Sequence, residues 1–144
     1  MRAIASLGAL PPLANSIQNQ QGETVDPLPI QTALNKVVDA FYVQQPQPIV
    51  DVCREAARVI MAAWVGSPAE AKDLAKVLPK NPVDRSLAGE AAHIVNRLHP
   101  RGKSAEQERQ LRAGNSLRQV LDEDAETSTH LLGFILREIG WVAS

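Results

Sequence analysis

Apolar residues return every three or four positions along most of this chain, with polar residues between them, which is the period of helices buried through one face. Ile30, Ala33, Leu34, Val37 and Phe41 trace the first clear stripe. Gln44-Gln45-Pro46-Gln47-Pro48 ends it, because a residue before proline is pushed out of the helical region. Pro48 suits the first turn of a second helix, where its missing N–H costs nothing. In that helix Ile49, Val52, Cys53, Ala56, Val59, Ile60, Ala63 and Trp64 share one arc, while Asp51, Arg54, Glu55 and Arg58 gather opposite. Gly66 supplies the stop, as a residue that tolerates positive φ.

Ser67-Pro68-Ala69-Glu70 has the form of a capping box and predicts a short helix to about residue 78, closed by Pro79 and Pro82. Asp84 or Ser86 caps the next helix, whose predicted buried stripe is Leu87, Ala91, Ile94, Val95 and Leu98, with Glu90, His93 and Arg97 along its flank. Pro100 and Gly102 break it. Ser104-Ala105-Glu106-Gln107 offers a second capping box for a charged helix to about residue 112, and Gly114-Asn115 forms a turn. A last helix follows Asp122-Glu123-Asp124, with Leu131, Leu132, Ile135, Leu136 and Ile139 inward and Gly140 as its stop. No stretch alternates as a strand would, and no internal repeat is present. The expected fold is all-α, a compact bundle of about five or six helices over residues 30–144. A helical segment over residues 1–17 and a flexible polar linker over residues 18–29 are expected before it, since Gln20-Gln21-Gly22-Glu23 and Asp26-Pro27 carry little apolar surface.

Composition agrees with packed helices: 144 residues suit one domain, and the apolar content comes from Ala, Leu, Val and Ile with only five aromatic side chains. The net charge of −1 excludes a general nucleic-acid coat. Its distribution is uneven, because residues 97–118 hold six cations against two glutamates. The lone Cys53 excludes an internal disulfide and favours a cytoplasmic home; its place on the apolar stripe makes it a small core residue. The first ten residues imitate a signal peptide loosely, but Pro11-Pro12 and the lack of a small-x-small cleavage site weaken that reading. No apolar run approaches the ~20 residues that span a bilayer, so no membrane partner is expected.

Candidate chemistry concentrates in Asn96-Arg97-Leu98-His99-Pro100-Arg101-Gly102-Lys103-Ser104. Arg97, Arg101 and Lys103 suit a phosphate or RNA backbone, with His93 and His99 beside them, while the same cations also simply complement the end of a helix dipole. Gly102-Lys103-Ser104 resembles the tail of a P-loop, but Arg97 stands where the loop needs another glycine and a helix where it needs a strand, which excludes nucleotide hydrolysis. Glu90, His93 and Arg97 have the spacing of an orienter, a base and an anion clamp, yet no nucleophile accompanies them. Glu126 and His130 form a surface pair, and neither the three histidines nor Cys53 has ligand spacing; Asp122, Glu123, Asp124 and Glu126 could hold a divalent cation, but carboxylates are favoured at a helix start in any case, so no metal and no cofactor are expected. On a helical projection Phe134 points away from the apolar face. With Trp141 nearby it is the expected anchor for a partner or a second copy of the chain, the alternative being a second internal contact in a helix covered on two sides.

Pro48, Ile49, Val52, Arg54-Glu55-Ala56-Ala57 and Ile60, then Ala71-Lys72-Asp73-Leu74 and the closing Leu131-Leu132-Gly133-Phe134-Ile135-Leu136, resemble the C-terminal domain of abortive-infection proteins. The layout of residues 48–140 is similar to these HEPN-like helical bundles, which the resemblance associates with prokaryotic defence, RNA metabolism and dimers. RNA-cleaving members carry an arginine and, four to six residues later, a histidine; here one residue separates Arg97 from His99. Two functions are therefore expected. The first is a non-catalytic interaction module in bacterial defence or a mobile-element setting, acting through protein or self-association. The second is an RNA-binding or RNA-cleaving bundle that uses the basic loop 97–103.

Overall fold

The computed structural model describes residues 10–43, 45–66, 74–79, 85–98, 108–109, 111–114 and 121–143. A small antiparallel hairpin, Ile17–Gln18 (β1) and Thr24–Val25 (β2), leads into helix Leu28–Val43 (α1). Pro46–Val65 (α2), the single helical turn Leu74–Val77 (α3), Leu87–Leu98 (α4) and Asp122–Glu138 (α5) follow. The protein is thus mostly helical, with four helices of three turns or more among the described residues. Glu108, Arg109, Leu111 and Arg112 are also helical, where a charged helix is expected.

The longest helix, α2, is the hub, packing against α1, α3, α4 and α5, while α4 and α5 also pack on each other. Its buried residues exceed the expected single arc: Val50, Ala57 and Met61 are covered as well as Ile49, Cys53, Ala56 and Ile60, because helices flank it on more than one side. The helix begins at Pro46, two residues before the expected start, and Gly66 ends it in the left-handed conformation at φ 76°. In α4 the expected stripe is displaced. Ala88, Gly89, Ala91, Ala92 and Val95 face inward, whereas Leu87 and Ile94 are 64% and 47% exposed. Small side chains at the centre of that arc allow a close approach, which leaves the larger apolar ones at its margin.

Residues 18–29 depart from the expected flexible linker, and residues 10–17 from the expected helix; residues 1–9 lie outside the described residues. Asn19 organises the hairpin: its Oδ1 accepts the amides of Gln21 (2.9 Å) and Glu23 (3.0 Å), and Gly22 makes the turn at φ 77°. Asp26 Oδ1 accepts the Leu28 amide at 3.0 Å and so starts α1. The hairpin and the segment before it are each tied to the body. The Gln20 amide donates to the Trp64 carbonyl at 2.8 Å, satisfying one of the acceptors that α2 leaves open at its C-terminus. Leu13 bridges Val142, with Ala14 N to Trp141 O and Ala143 N to Pro12 O both at 2.9 Å.

Gly66 sits beneath this hairpin, where an added Cβ would lie 3.1 Å from Gln21 Oε1. Gly66→Ala is expected to destabilise the protein by roughly 1–2 kcal/mol, from left-handed backbone strain together with that contact. Urea unfolding checks this; an unchanged midpoint would show that the turn can be rebuilt freely.

Candidate functional site

The charged flank of α4 begins one residue before the helix cap. Ser86 Oγ accepts the Gly89 amide at 3.0 Å and its carbonyl accepts the Glu90 amide at 2.9 Å, so of the two expected caps Ser86 acts; Asp84 lies outside the described residues. Arg85, preceding it, is largely buried. Its Nε donates to the Pro79 carbonyl at 2.7 Å and its Nη1 stands 3.5 Å from Glu90 Oε1, joining the chain after α3 to the first turn of α4.

Along α4, His93 lies three residues beyond Glu90 and four before Arg97, so the three share a flank as their spacing predicts. His93 is half-buried. Desolvation lowers its pKa below the ordinary histidine value, and the positive charges of Arg85, Arg97 and Arg109 lower it further, against a smaller opposing pull from Glu90. The imidazole thus stands in a net positive field that disfavours its protonation. Such an arrangement offers hydrogen bonds and positive potential to an anion. His99, Arg101 and Lys103, the rest of the expected basic site, lie outside the described residues.

Arg85 and Arg109 are additions that helix periodicity does not supply. Arg85 precedes the cap of α4, and Arg109 belongs to a separate helical stretch, so only the folded chain reveals that both act on His93. The surplus of cations in residues 97–118 is the one signal that pointed toward Arg109.

The expected partner anchor divides in two. Phe134 is 39% exposed, at the middle of the polar face of α5 with His130 one turn before it. Trp141 is instead buried at 1% exposure, and its Nε1 donates to the Gln18 carbonyl at 2.8 Å. Projecting α5 onward through residue 141 fails because the helix stops first. Gly140 adopts φ 77°, its amide bonds the Arg137 carbonyl at 3.2 Å, and the Trp141 amide bonds the Leu136 carbonyl at 2.9 Å, a Schellman closure that turns the indole inward.

Cys53 is fully buried, as its place on the α2 stripe predicts, with Sγ 3.8 Å from Thr129 Oγ1; burial pushes its thiol up to about 12, which keeps it from acting as a thiolate nucleophile. In the acidic run at the start of α5, the buried Asp124 has a structural task, accepting the Leu121 amide at 2.9 Å. Among the described residues no three His, Cys, Asp or Glu side chains come together as metal ligands, and no helix is long and apolar enough to cross a membrane. Compared with protein-family models, with curated proteins and with solved structures, the chain matches none.

Proposed function

We propose that this protein is a helical binding module that contacts the phosphate backbone of RNA through the α4 flank without cleaving it. The observation that carries this reading is the basic flank of α4, on which Arg97 follows His93 by one turn and Arg85, held by the Pro79 carbonyl, stands 3.5 Å from Glu90 at its start, with the charge of Arg109 also acting on the imidazole. Arginine presents a fork of donors that matches a phosphate, and a cluster of such groups supplies both affinity and salt dependence. The resemblance of residues 48–140 to the HEPN-like domain of abortive-infection proteins adds support and suggests a bacterial defence or mobile-element setting. His99, Arg101 and Lys103 would extend the same contact, and a cytoplasmic location goes with this reading.

Fluorescence anisotropy with a short single-stranded RNA at rising salt tests it. Wild-type affinity is expected to fall linearly on a logarithmic salt scale, and replacing Arg97 and Arg109 together by glutamine should reduce the slope by roughly one for each arginine. Arg85 is left intact in this variant, which keeps its bonds to Pro79 and Glu90. Unaltered affinity and slope in the double variant would remove the site from the proposal.

The outward Phe134 favours a second reading, association with a protein or another copy of the chain, without Trp141 as a contributor. Light scattering of the wild type and Phe134→Glu distinguishes it. A dimer lost in the variant supports self-association, and a monomer in both excludes it.

A further inference from the structure

We infer that the polar cleft between the hairpin and the C-terminal ends of α2 and α5 receives the guanidinium group of an arginine side chain from a partner polypeptide. None of its lining residues belongs to α4, so this goes beyond the RNA reading and does not depend on it.

The cleft has a volume of about 360 Å³. Ser16, Gln18 and Asn19 line it from the hairpin side, Trp64 from the last turn of α2, and Ile139 and Gly140 from just beyond α5. Two helices therefore end at it, and each brings the negative pole of its dipole. No charged side chain is among the described residues that line it. Behind Asn19 stands the Glu23 carboxylate, which accepts Asn19 Nδ2 at 3.2 Å and adds to the same sign. Arg137 and Glu138, adjacent and opposite in charge, precede the end of α5 and leave that sign in place.

The backbone around the cleft offers acceptors, because its donors are spent. The Asn19 amide bonds the Glu23 carbonyl at 2.9 Å, the Gly140 amide the Arg137 carbonyl at 3.2 Å, and the Trp141 amide the Leu136 carbonyl at 2.9 Å. The indole N–H of Trp141 is given to the Gln18 carbonyl. A carbonyl oxygen has two lone pairs, so the Gln18 carbonyl, with the indole, and the Trp64 carbonyl, with the Gln20 amide, can each take another donor. No backbone amide of the described residues bonds the carbonyls of Ile139 and Gly140.

Acceptors in a weakly negative field select a cation rich in N–H groups. A calcium or magnesium ion requires carboxylates, and a quaternary ammonium ion an aromatic cage. A lysine ammonium is compact and strongly hydrated, so uncharged walls recover little of what it loses on leaving water. Guanidinium spreads five donors over a plane and is weakly hydrated, so it can reach several carbonyls around a cleft at a smaller desolvation cost. With helix poles in place of a carboxylate the contact is weak alone and serves as one anchor within a larger interface.

Amide NMR spectra of the full chain, titrated with Nα-acetyl-arginine amide at constant ionic strength, provide the test. Progressive shifts are expected at Ser16, Asn19, Gly140 and the Trp141 indole N–H, with Nα-acetyl-lysine amide binding several-fold more weakly. A tripeptide with a single central arginine should bind at least as well as the capped residue. Ser16 is exposed at the rim, so Ser16→Lys should abolish the response by repulsion while Ser16→Ala keeps it, with unfolding midpoints confirming that both variants fold. Absent shifts, equal shifts with the lysine compound, or a response that survives in Ser16→Lys would overturn the inference. Binding of agmatine without binding of the tripeptide would assign the cleft to a small molecule and overturn the polypeptide partner.

Discussion

Replacing Trp141 by alanine is expected to cost about 3–5 kcal/mol, lowering the melting temperature by roughly 10 °C or more. The indole is the largest fully buried side chain, so truncation leaves a cavity that backbone movement fills only in part. It also strands the Gln18 carbonyl, which accepts the indole N–H at 2.8 Å. Loss is expected to be uneven across the molecule. Residues 12–18 and the hairpin rely on contacts around Trp141, so their amides should exchange much faster in the variant, while α2 and α5 keep graded protection. Trp141→Phe separates the two causes: it retains most of the volume and should lose only about 1 kcal/mol, the share of the hydrogen bond. Equal denaturation midpoints for wild type and Trp141→Ala would show that the hairpin is held by something other than this side chain.

Ile60→Ala is the second large effect, expected at about 2–5 kcal/mol, against ~0.5–1.5 for Ile60→Val. Ile60 has no exposed surface and lies on the helix that all the other helices share. A cavity there weakens the contacts of α2 with several neighbours together, so the unfolding should remain one transition, with circular dichroism and tryptophan fluorescence changing at the same urea concentration. Two separated transitions in Ile60→Ala would mean that α1 and the α4–α5 pair are stable units on their own, contrary to the hub arrangement.

The parts of the fold that the sequence discloses are those decided locally. Helix α2 declares itself through its long apolar arc and Gly66, the end of α1 through the Gln44–Pro48 run, and the inward face of α5 through Leu132, Ile135 and Leu136. The hairpin does not, because its order comes from three hydrogen bonds of the Asn19 side chain to Gln21 and Glu23 and from a tryptophan 123 residues beyond Gln18. Polar composition then reads as a linker when it is a set of satisfied hydrogen bonds. Leu87 and Ile94 mislead in the opposite sense, since size and hydropathy mark them as core while close packing is carried by alanine and glycine. At the candidate site, helical spacing brings together Glu90, His93 and Arg97. It says nothing of Arg85 and Arg109, whose charges act on the imidazole from outside the helix.

The clasp between the two ends of the described chain has a kinetic consequence. Its contacts span nearly the whole sequence, so closing it costs loop entropy that the chain recovers only after the intervening helices have assembled. Such late contacts contribute little to the folding barrier. Weakening them should leave the refolding rate nearly constant and show up as faster escape from the native state, making the indole–carbonyl bond a determinant of the protein's lifetime.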